Sequence, residues 1–298
     1  MSACCVGYVS RDRGHRVVSE DARGQLRRLG IRPRKGLGQH FLVNENAADR
    51  IVEAALECEP EGIVEIGPGL GVLTRRLVTA TVPVVAIEID ESMRGEIERV
   101  QEESANLTVL YQDVLEVDLS EYTASGRQVA VGNIPYQITS PLLEQLLTIE
   151  PPFAAIVLMV QREVARRLRA EPATKDYGAL TLLARFYAGM PEVIAELSPG
   201  SFLPPPKVDS TVLRLTPRRP PIEEPERQRL FFKVVKAAFG QRRKQLGNAL
   251  SGSPYFELEK SAARTALGRA GIETSRRGET LSLEELVTLT ACVEEVLG

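Results

Sequence analysis

The tetrapeptide Asn133-Ile134-Pro135-Tyr136 combines residue types that could hold an aromatic amine for alkylation. The lone pair of such an amine is delocalised into its ring, so the amine is a poor nucleophile. Two acceptors on its N–H groups would favour a pyramidal nitrogen, and the Asn133 side-chain carbonyl and a backbone carbonyl near Ile134–Pro135 can supply them. Pro135 fixes its own φ and biases Ile134 towards an extended conformation, which pre-sets the acceptors. Tyr136 offers a ring face on which an extruded base can stack.

A glycine-rich turn lies upstream, within the span of one nucleotide-binding domain. It reads Glu65-Ile-Gly-Pro-Gly-Leu-Gly71, and its glycines allow a ligand to approach the backbone closely. The spacing differs from the dinucleotide fingerprint GxGxxG, and Pro68 and Leu70 suit an uncharged-linker nucleoside such as S-adenosylmethionine better than NAD. Glu88 follows about 20 residues later, where a carboxylate can accept both ribose hydroxyls. Asp113 could accept the amine proton of an adenine ring.

Both motifs also have a purely structural interpretation, as a tight strand–helix turn and as an Asn-x-Pro turn beside a core tyrosine. Acids at the ends of the next two strands favour a ligand site instead. A sulfonium methyl donor has a neutral leaving group and needs no strong base, which fits a chain whose only histidines are His15 and His40. Methylation at cytosine C5 would need a cysteine nucleophile, and none of the four cysteines lies in these motifs.

Alternating apolar strands and helical patterns position these residues. Strands are predicted at 62–66, 82–89, 107–111, 128–132 and 154–160, with a closing pair at 193–197 and 208–215. Helices between the strands indicate a parallel sheet covered on both faces. Ligands of such sheets bind at the carboxyl ends of the strands, where four polar residues converge: Glu65, Glu88, Asp113 and Asn133.

The predicted fold class is therefore α/β, a Rossmann-like S-adenosylmethionine-dependent methyltransferase sheet with a small C-terminal all-helical domain. Residues 1–30 are predicted to be a basic, mostly disordered extension, and residues 31–218 the methyltransferase domain. A proline-rich linker at 217–225 leads into a helical RNA- or ribosome-binding domain at 219–298. Ser282 and Glu285 resemble a capping box at the start of its last helix.

Composition limits the possible functions of the chain. Its 298 residues are 43% apolar and 26% charged, typical of a soluble globular protein. Neither a membrane span nor a secretory signal is expected, because no apolar stretch is long enough. Cys4, Cys5, Cys58 and Cys292 show no CxxC spacing, so we expect no metal site and no disulfide framework, and a reduced cytoplasmic protein.

The net charge of −3 conceals a strong local asymmetry that indicates an anion-binding surface. Residues 1–40 hold nine Arg and Lys against three acids, a balance of +6. The predicted helix 161–170 places Arg162, Arg166 and Arg169 on one face, which either contacts nucleic-acid phosphates or is merely solvated. A second basic cluster, Arg242, Arg243 and Lys244, is predicted to contact the RNA backbone.

Five motifs in register resemble the ribosomal small-subunit RNA adenine N6,N6-dimethyltransferase family, whose loss gives kasugamycin resistance. The motifs are residues 35–42 (Lys-Gly-Leu-Gly-Gln-His-Phe-Leu), 65–71, 133–136, 202–210 (Phe-Leu-Pro-Pro-Pro-Lys-Val-Asp-Ser) and 238–244 (Ala-Phe-Gly-Gln-Arg-Arg-Lys). The match runs from about residue 31 to residue 298. The resemblance implies S-adenosylmethionine-dependent dimethylation of two adjacent adenines in the hairpin loop near the 3′ end of small-subunit rRNA.

The resemblance also implies roles for single residues. His40 and Leu42 would contact the methionine end of the cofactor, and Gly67 would contact its backbone-facing side. Glu88 would bind the ribose and Asp113 the adenine of the cofactor. Asn133 would contact the reacting edge. Asn133, Ile134, Pro135 and Tyr136 would form the catalytic segment, with Phe202 as a second stacking wall opposite Tyr136. Phe202 could instead be a buried anchor for its proline-rich loop. The chain departs from many relatives at His40, where Asn is common, and at Ile134, where Leu is common.

Two other functions remain open at this stage. One is the related large-subunit rRNA adenine methyltransferase that confers macrolide resistance, although residues 238–244 favour the small-subunit family. The other is a non-enzymatic assembly factor that binds the maturing small subunit and checks it. The expected partner is small-subunit rRNA or the immature small ribosomal subunit, with no membrane partner, and the protein is expected to be a monomer.

Overall fold

The computed structural model describes residues 21–240 and 244–298, which contain nine β-strands. In chain order these are β1 (Phe41–Leu42), β2 (Gly62–Ile66), β3 (Val84–Glu88), β4 (Leu107–Tyr111), β5 (Gln128–Asn133), β6 (Ala155–Gln161), β7 (Glu192–Leu197), β8 (Phe202–Leu203) and β9 (Ser210–Leu215). Seven of them form one sheet in the order β4-β3-β2-β5-β6-β9-β7. The pairs among β2 to β6 are parallel, and β9 pairs antiparallel with both β6 and β7. The predicted fold class is confirmed.

The central strands carry apolar side chains on both sides because both faces of the sheet are covered. Alternate residues of β5 belong to different hydrophobic clusters: Val129 and Val131 pack on one face and Ala130 on the other. All three side chains are fully buried. A run without hydrophobic alternation therefore encodes a buried parallel strand here.

Twelve α-helices surround and extend the sheet within the described residues. They are α1 (Ala22–Leu29), α2 (Glu45–Leu56), α3 (Thr74–Leu77), α4 (Arg94–Glu102), α5 (Ser120–Thr123), α6 (Thr139–Thr148), α7 (Arg162–Leu168), α8 (Ala179–Tyr187), α9 (Pro225–Gly240), α10 (Leu246–Ser251), α11 (Lys260–Arg269) and α12 (Leu283–Leu297). No helix in this part of the chain is long and apolar enough to cross a bilayer.

Helix α1 differs from the expectation that residues 1–30 are mostly disordered; residues 1–20 lie outside the described residues. Asp21 caps the helix by accepting a hydrogen bond of 2.7 Å from the Gly24 N–H. Leu26 is buried in a small cluster with residues of α4. Arg28 pairs with the buried carboxylate of Glu96. Ala22, Leu26 and Leu29 are spaced by four and three residues and share that cluster, so a short apolar face, missed in the sequence, also holds this helix.

The last four helices pack around a hydrophobic cluster that also includes α8. Leu180 and Ala184 of α8 belong to the cluster on one face of the sheet, whereas Leu182 and Phe186 belong to the cluster of the C-terminal helices. One helix therefore contributes to both cores. The Ser282–Glu285 capping box at the start of α12 forms as predicted.

A second, two-stranded sheet was not predicted. β1 pairs antiparallel with β8, so Phe41 lies opposite Leu203 and Leu42 opposite Phe202. Two motifs that are about 160 residues apart in sequence are thereby joined beside the main sheet.

Candidate active site

One cleft opens at the carboxyl ends of the parallel strands, beside the point where the strand order reverses between β2 and β5. Open α/β sheets bind ligands at this position. The cleft contains about 960 Å³ of space that no protein atom fills, including the open solvent at its mouth. Eight of the predicted site residues line it: His40, Gly67, Glu88, Asp113, Asn133, Ile134, Pro135 and Tyr136.

The turn after β2 uses glycines where the backbone is left-handed. Gly67 and Gly69 have φ values of +69° and +54°, which side-chain-bearing residues rarely adopt. The Gly67 N–H donates to the Ile87 carbonyl at 2.9 Å, and the Gly69 N–H donates to Glu88 Oε2 at 2.9 Å. The turn is therefore fixed to the end of β3 and leaves bare backbone along the cleft.

Glu88, at the end of β3, is buried and accepts two backbone hydrogen bonds. Besides the bond from Gly69, its Oε1 accepts one from the Asp90 N–H at 2.8 Å. Burial raises the pKa of the carboxyl above its usual value, although these backbone donors oppose the rise. Each oxygen keeps a second lone pair, so the carboxylate can still accept a pair of ligand hydroxyls.

Asp113 follows β4 and caps a short 3-10 turn, its Oδ1 accepting from the Leu115 N–H at 3.0 Å. Its other carboxylate oxygen makes no hydrogen bond among the described residues. Asp113 therefore has an acceptor available on the same wall of the cleft as Glu88.

Asn133 is the last residue of β5, and its amide orientation is fixed. Its Nδ2 donates to the His40 carbonyl at 2.9 Å, and only the NH₂ end of the amide can donate to a carbonyl. The side-chain oxygen is therefore the free end. The Pro135 carbonyl already accepts from the Ile138 N–H at 3.2 Å, which favours the Ile134 carbonyl as the second acceptor. The Ile134 side chain is buried in the core.

Tyr136 is held at both ends of its side chain. Its hydroxyl lies 2.9 Å from Ser210 Oγ, and its ring stacks on the His40 ring with a centroid separation of 5.7 Å and an interplanar angle of 28°. His40 Nδ1 lies 2.7 Å from the Pro204 carbonyl oxygen, so this nitrogen carries the proton. Burial raises the pKa of the Tyr136 hydroxyl, which stays neutral.

Phe202 and Leu42 are both buried. Phe202 is 3% exposed and packs in the core on one face of the sheet, so it is no second stacking wall for a base in this structure. Its place in β8, with its side chain in the core, fits the other interpretation, a buried anchor for the proline-rich loop. Leu42 is buried in the same core and lines a small cavity beside the glycine turn, which Gly67 and Asn133 also line, so its contact with the cofactor stays a prediction.

The predicted RNA-binding arginines of α7 are exposed but engaged with acids. Arg162 pairs with Asp209 at 3.0 Å, and Arg166 approaches Asp176 at 4.0 Å. Arg169 directly follows the end of the helix and is also exposed. Arg242 and Arg243 lie outside the described residues, and the neighbouring Lys244 is exposed.

Two residues were not singled out from sequence, one that lines the cleft and one buried beside it. Ile89 is an apolar residue of the cleft wall that is 48% exposed, directly after Glu88. Asp90 is buried and accepts from Gln39 Nε2 at 2.7 Å and pairs with Arg34 at 3.2 Å. The position of Ile89, directly after the strand-end acid Glu88, could have indicated from the sequence that it lies at the cleft. The contacts of Asp90 are long-range and have no sequence signature.

Glu65, in β2, is a carboxyl group in an apolar setting. It is fully buried, and neither carboxylate oxygen makes a hydrogen bond of normal geometry with the described residues. Burial raises its pKa to about 8; the nearby Thr74 hydroxyl lowers it, and the charge of Glu88 raises it further. Glu65 is therefore mostly protonated at neutral pH.

The cleft suits the predicted cofactor. A sulfonium nucleoside needs an apolar slot for its base, acceptors for its hydroxyls and backbone that it can approach closely. Ile89 and Val114 supply apolar walls, Glu88 and Asp113 supply acceptors, and Gly67 supplies bare backbone. No Lys or Arg of the described part of the chain lines the cleft, which disfavours a diphosphate-linked cofactor.

Comparison with known proteins decides the family. The family model described as "Ribosomal RNA adenine dimethylase" matches residues 30–289. The chain belongs to the ribosomal RNA adenine dimethylase family. It is an rRNA adenine N6,N6-dimethyltransferase, and its methyl donor is S-adenosylmethionine.

Individual relatives cover nearly the whole enzyme. It is 38% identical over 264 residues to the Ribosomal RNA small subunit methyltransferase A of Clostridium botulinum, covering 88% of this chain and 94% of that protein. The protein of the same name from Clostridium acetobutylicum is 41% identical over 266 residues, covering 89% and 95%.

Two solved structures are similar over most of their length. A dimethyladenosine transferase from Plasmodium falciparum has a TM-score of 0.69 and 26% identity, covering 84% of this enzyme and 96% of that chain. The 23S rRNA methyltransferase ErmE has a TM-score of 0.63 and 25% identity, covering 85% and 99%.

Proposed function

We propose that the enzyme dimethylates N6 of two adjacent adenines in the 3′-terminal hairpin loop of small-subunit rRNA during ribosome biogenesis. The observation that carries this proposal is the cleft itself, which joins a nucleoside-type pocket to the Asn133–Tyr136 segment. The small-subunit target is supported by the names of relatives that are 38% and 41% identical to the enzyme.

Asn133 would orient the reacting amine. Its amide NH₂ is held by the His40 carbonyl, so its oxygen is presented without reorganisation to one N–H of the target base. The Ile134 carbonyl would accept from the second N–H. With both hydrogens engaged, the nitrogen lone pair points away from the two acceptors, towards the glycine turn where the donor would lie.

Tyr136 would bind the extruded base by stacking. The His40 ring and the Ser210 hydroxyl fix its ring plane, so little side-chain freedom is lost when a base binds. S-adenosylmethionine supplies an activated methyl group on a positively charged sulfur, which leaves as a neutral thioether. No strong base is needed for the transfer, because the amine becomes acidic only once it is alkylated.

The decisive experiment is a labelled methyl-transfer assay with small and large ribosomal subunits that lack the modification. We expect label in N6,N6-dimethyladenosine from two adjacent positions near the 3′ end of small-subunit rRNA. Asn133→Ala should lower kcat by about 10²- to 10³-fold, as for removal of one oriented polar group, and leave the Kd for the methyl donor nearly unchanged. Label only in other nucleosides would refute the proposal.

A large-subunit target is the second candidate, and the similarity to the 23S rRNA methyltransferase ErmE favours it. Label confined to large-subunit rRNA in the same assay would establish this alternative. Expression in two hosts gives an independent answer. The small-subunit activity predicts restored kasugamycin sensitivity in a host that lacks its own dimethyltransferase, and the large-subunit activity predicts macrolide resistance in a macrolide-sensitive host.

A checkpoint role in subunit assembly is a further part of the proposal. It would need stable binding to the immature small subunit by the helical domain at 219–298, including Arg242, Arg243 and Lys244, and by the α7 arginines. The Asn133→Ala variant tests whether the two roles are separable. If it still binds subunits but does not methylate them, it retains only the binding role. Cytoplasmic location and a monomeric state complete the proposal; sedimentation analysis of the full chain tests the latter.

A further inference from the structure

Helix α1 is held rigidly against the methyltransferase sheet. Gln25 and Arg28 on its inner face bind the buried carboxylate of Glu96 on α4, and Leu26 is 7% exposed. The same carboxylate also pairs with Arg75. A helix of eight residues would be marginal alone, so these contacts determine which of its side chains face outward.

The outward side chains include Arg23 and Arg27, one helical turn apart. Both are exposed, and neither has a carboxylate partner among the residues that the structure describes. Arg27 Nε donates to the Arg23 carbonyl at 3.3 Å, which leaves its terminal nitrogens available. The nearest acid in sequence, Asp21, is engaged in capping the helix. In contrast, Arg162 and Arg166 of α7 each lie beside an aspartate.

These two arginines border an open groove that leads towards the active site. The groove is lined by Arg23, Leu26, Arg27, Pro33, Leu203 and Pro204. Pro204 is the residue whose carbonyl binds the His40 ring, and that ring stacks on Tyr136. A nucleic-acid strand whose base reached Tyr136 could therefore continue along this groove.

We propose that Arg23 and Arg27 bind phosphates of the RNA strand that flanks the target adenine, and that Leu203 and Pro204 contact its sugars. Charge complementarity favours RNA as the occupant, because two guanidinium groups with no carboxylate partner in residues 21–240 and 244–298, beside an apolar strip, match a phosphate–ribose backbone. The inference rests on the proposed function for the identity of the RNA. With α1, the predicted RNA-binding surface extends beyond α7 and residues 242–244, where the sequence placed it.

The test uses the full-length Arg23→Gln/Arg27→Gln variant with unmodified small subunits. Two lost phosphate contacts should lower the slope of log Kd against log salt by about 1.5 and weaken binding about tenfold near 0.1 M salt. KM for subunits should rise by a similar factor while kcat and the Kd for S-adenosylmethionine stay within twofold. The Arg23→Lys/Arg27→Lys variant keeps both charges and should recover most of the salt slope.

A matched control removes two exposed arginines that do not line the cleft or the groove. The Arg50→Gln/Arg127→Gln variant has the same net charge as the test variant and should bind subunits like the wild type. Equal weakening by the control would show a general charge effect and overturn the proposal. An unchanged salt slope in the test variant would also overturn it, as would a loss confined to kcat. If the wild type itself methylates no small subunits, the proposed function fails instead.

Discussion

Replacing Glu65 with Gln should stabilise the enzyme at neutral pH and do so much less near pH 5. The folded-state pKa of about 8 lies above the ordinary value of 4.5, so folding takes up a proton between these values. The contribution of Glu65 to stability is therefore greatest at pH values below 4.5 and falls as the pH rises through this window. Gln has almost the same shape and cannot ionise, so its folding does not carry this cost.

The two pKa values give the magnitude. The linkage relation makes the cost of folding an ionisable Glu65 about 1 kcal/mol at pH 5 and about 4 kcal/mol at pH 7.5. The stability of Glu65→Gln relative to the wild type should thus increase by about 3 kcal/mol between these two pH values. This is an upper limit if the cavity behind the glycine turn admits water.

The assay is equilibrium urea unfolding of both proteins at several values between pH 5 and pH 7.5, with the m-values compared as a check on the unfolded state. Glu121→Gln, at an exposed acid of α5, is the control and should show a difference from the wild type that does not vary with pH. A flat difference for Glu65→Gln, or a variant less stable than the wild type at pH 7.5, would show that the buried carboxylate is ionised and has a partner.

Three further predictions concern the cleft. Glu88→Gln should raise the Kd for S-adenosylmethionine about 10- to 100-fold by removing charge-assisted hydrogen bonds, measured by calorimetry; an unchanged Kd would place the ribose elsewhere. Tyr136→Phe should cost about 1 kcal/mol of stability because the hydrogen bond to Ser210 is lost, and its methylation rate should stay within a few-fold of the wild type. A 100-fold loss of that rate would give the hydroxyl a chemical role. Gly67→Ala and Gly271→Ala, at φ +69° and +68°, should each lose about 1–2 kcal/mol in thermal unfolding, but only the first should weaken cofactor binding.

The parallel sheet was predictable because its strands carry continuous apolar runs with clear boundaries. The predicted strand at 107–111 coincides with β4, and the predicted strand at 128–132 is extended only by Asn133. The strand-end residues of the cleft followed from this, since parallel strands bring their carboxyl ends to one edge. The apolar pattern of the strands and their parallel topology were together sufficient to predict the strand-end residues of the cleft.

Features that depend on distant contacts were not predictable. β1 and β8 have two residues each, too short for any periodic pattern, and their pairing spans about 160 residues. The burial of Phe202 follows from that pairing. The apolar face of helix α1 is short, only Ala22, Leu26 and Leu29 among polar residues, and the helix also forms against Glu96, a charged residue whose burial the sequence does not indicate.

The short β1–β8 ladder joins two chain segments that border the active site. One strand directly follows His40, next to the cofactor side, and the other directly precedes Pro204, on the side where RNA would enter. Backbone hydrogen bonds join the strands, so a shift of one displaces the other. If the methyl donor binds beside His40 and the RNA beside Pro204, we expect binding of one to change the affinity for the other, which order-of-addition kinetics would measure.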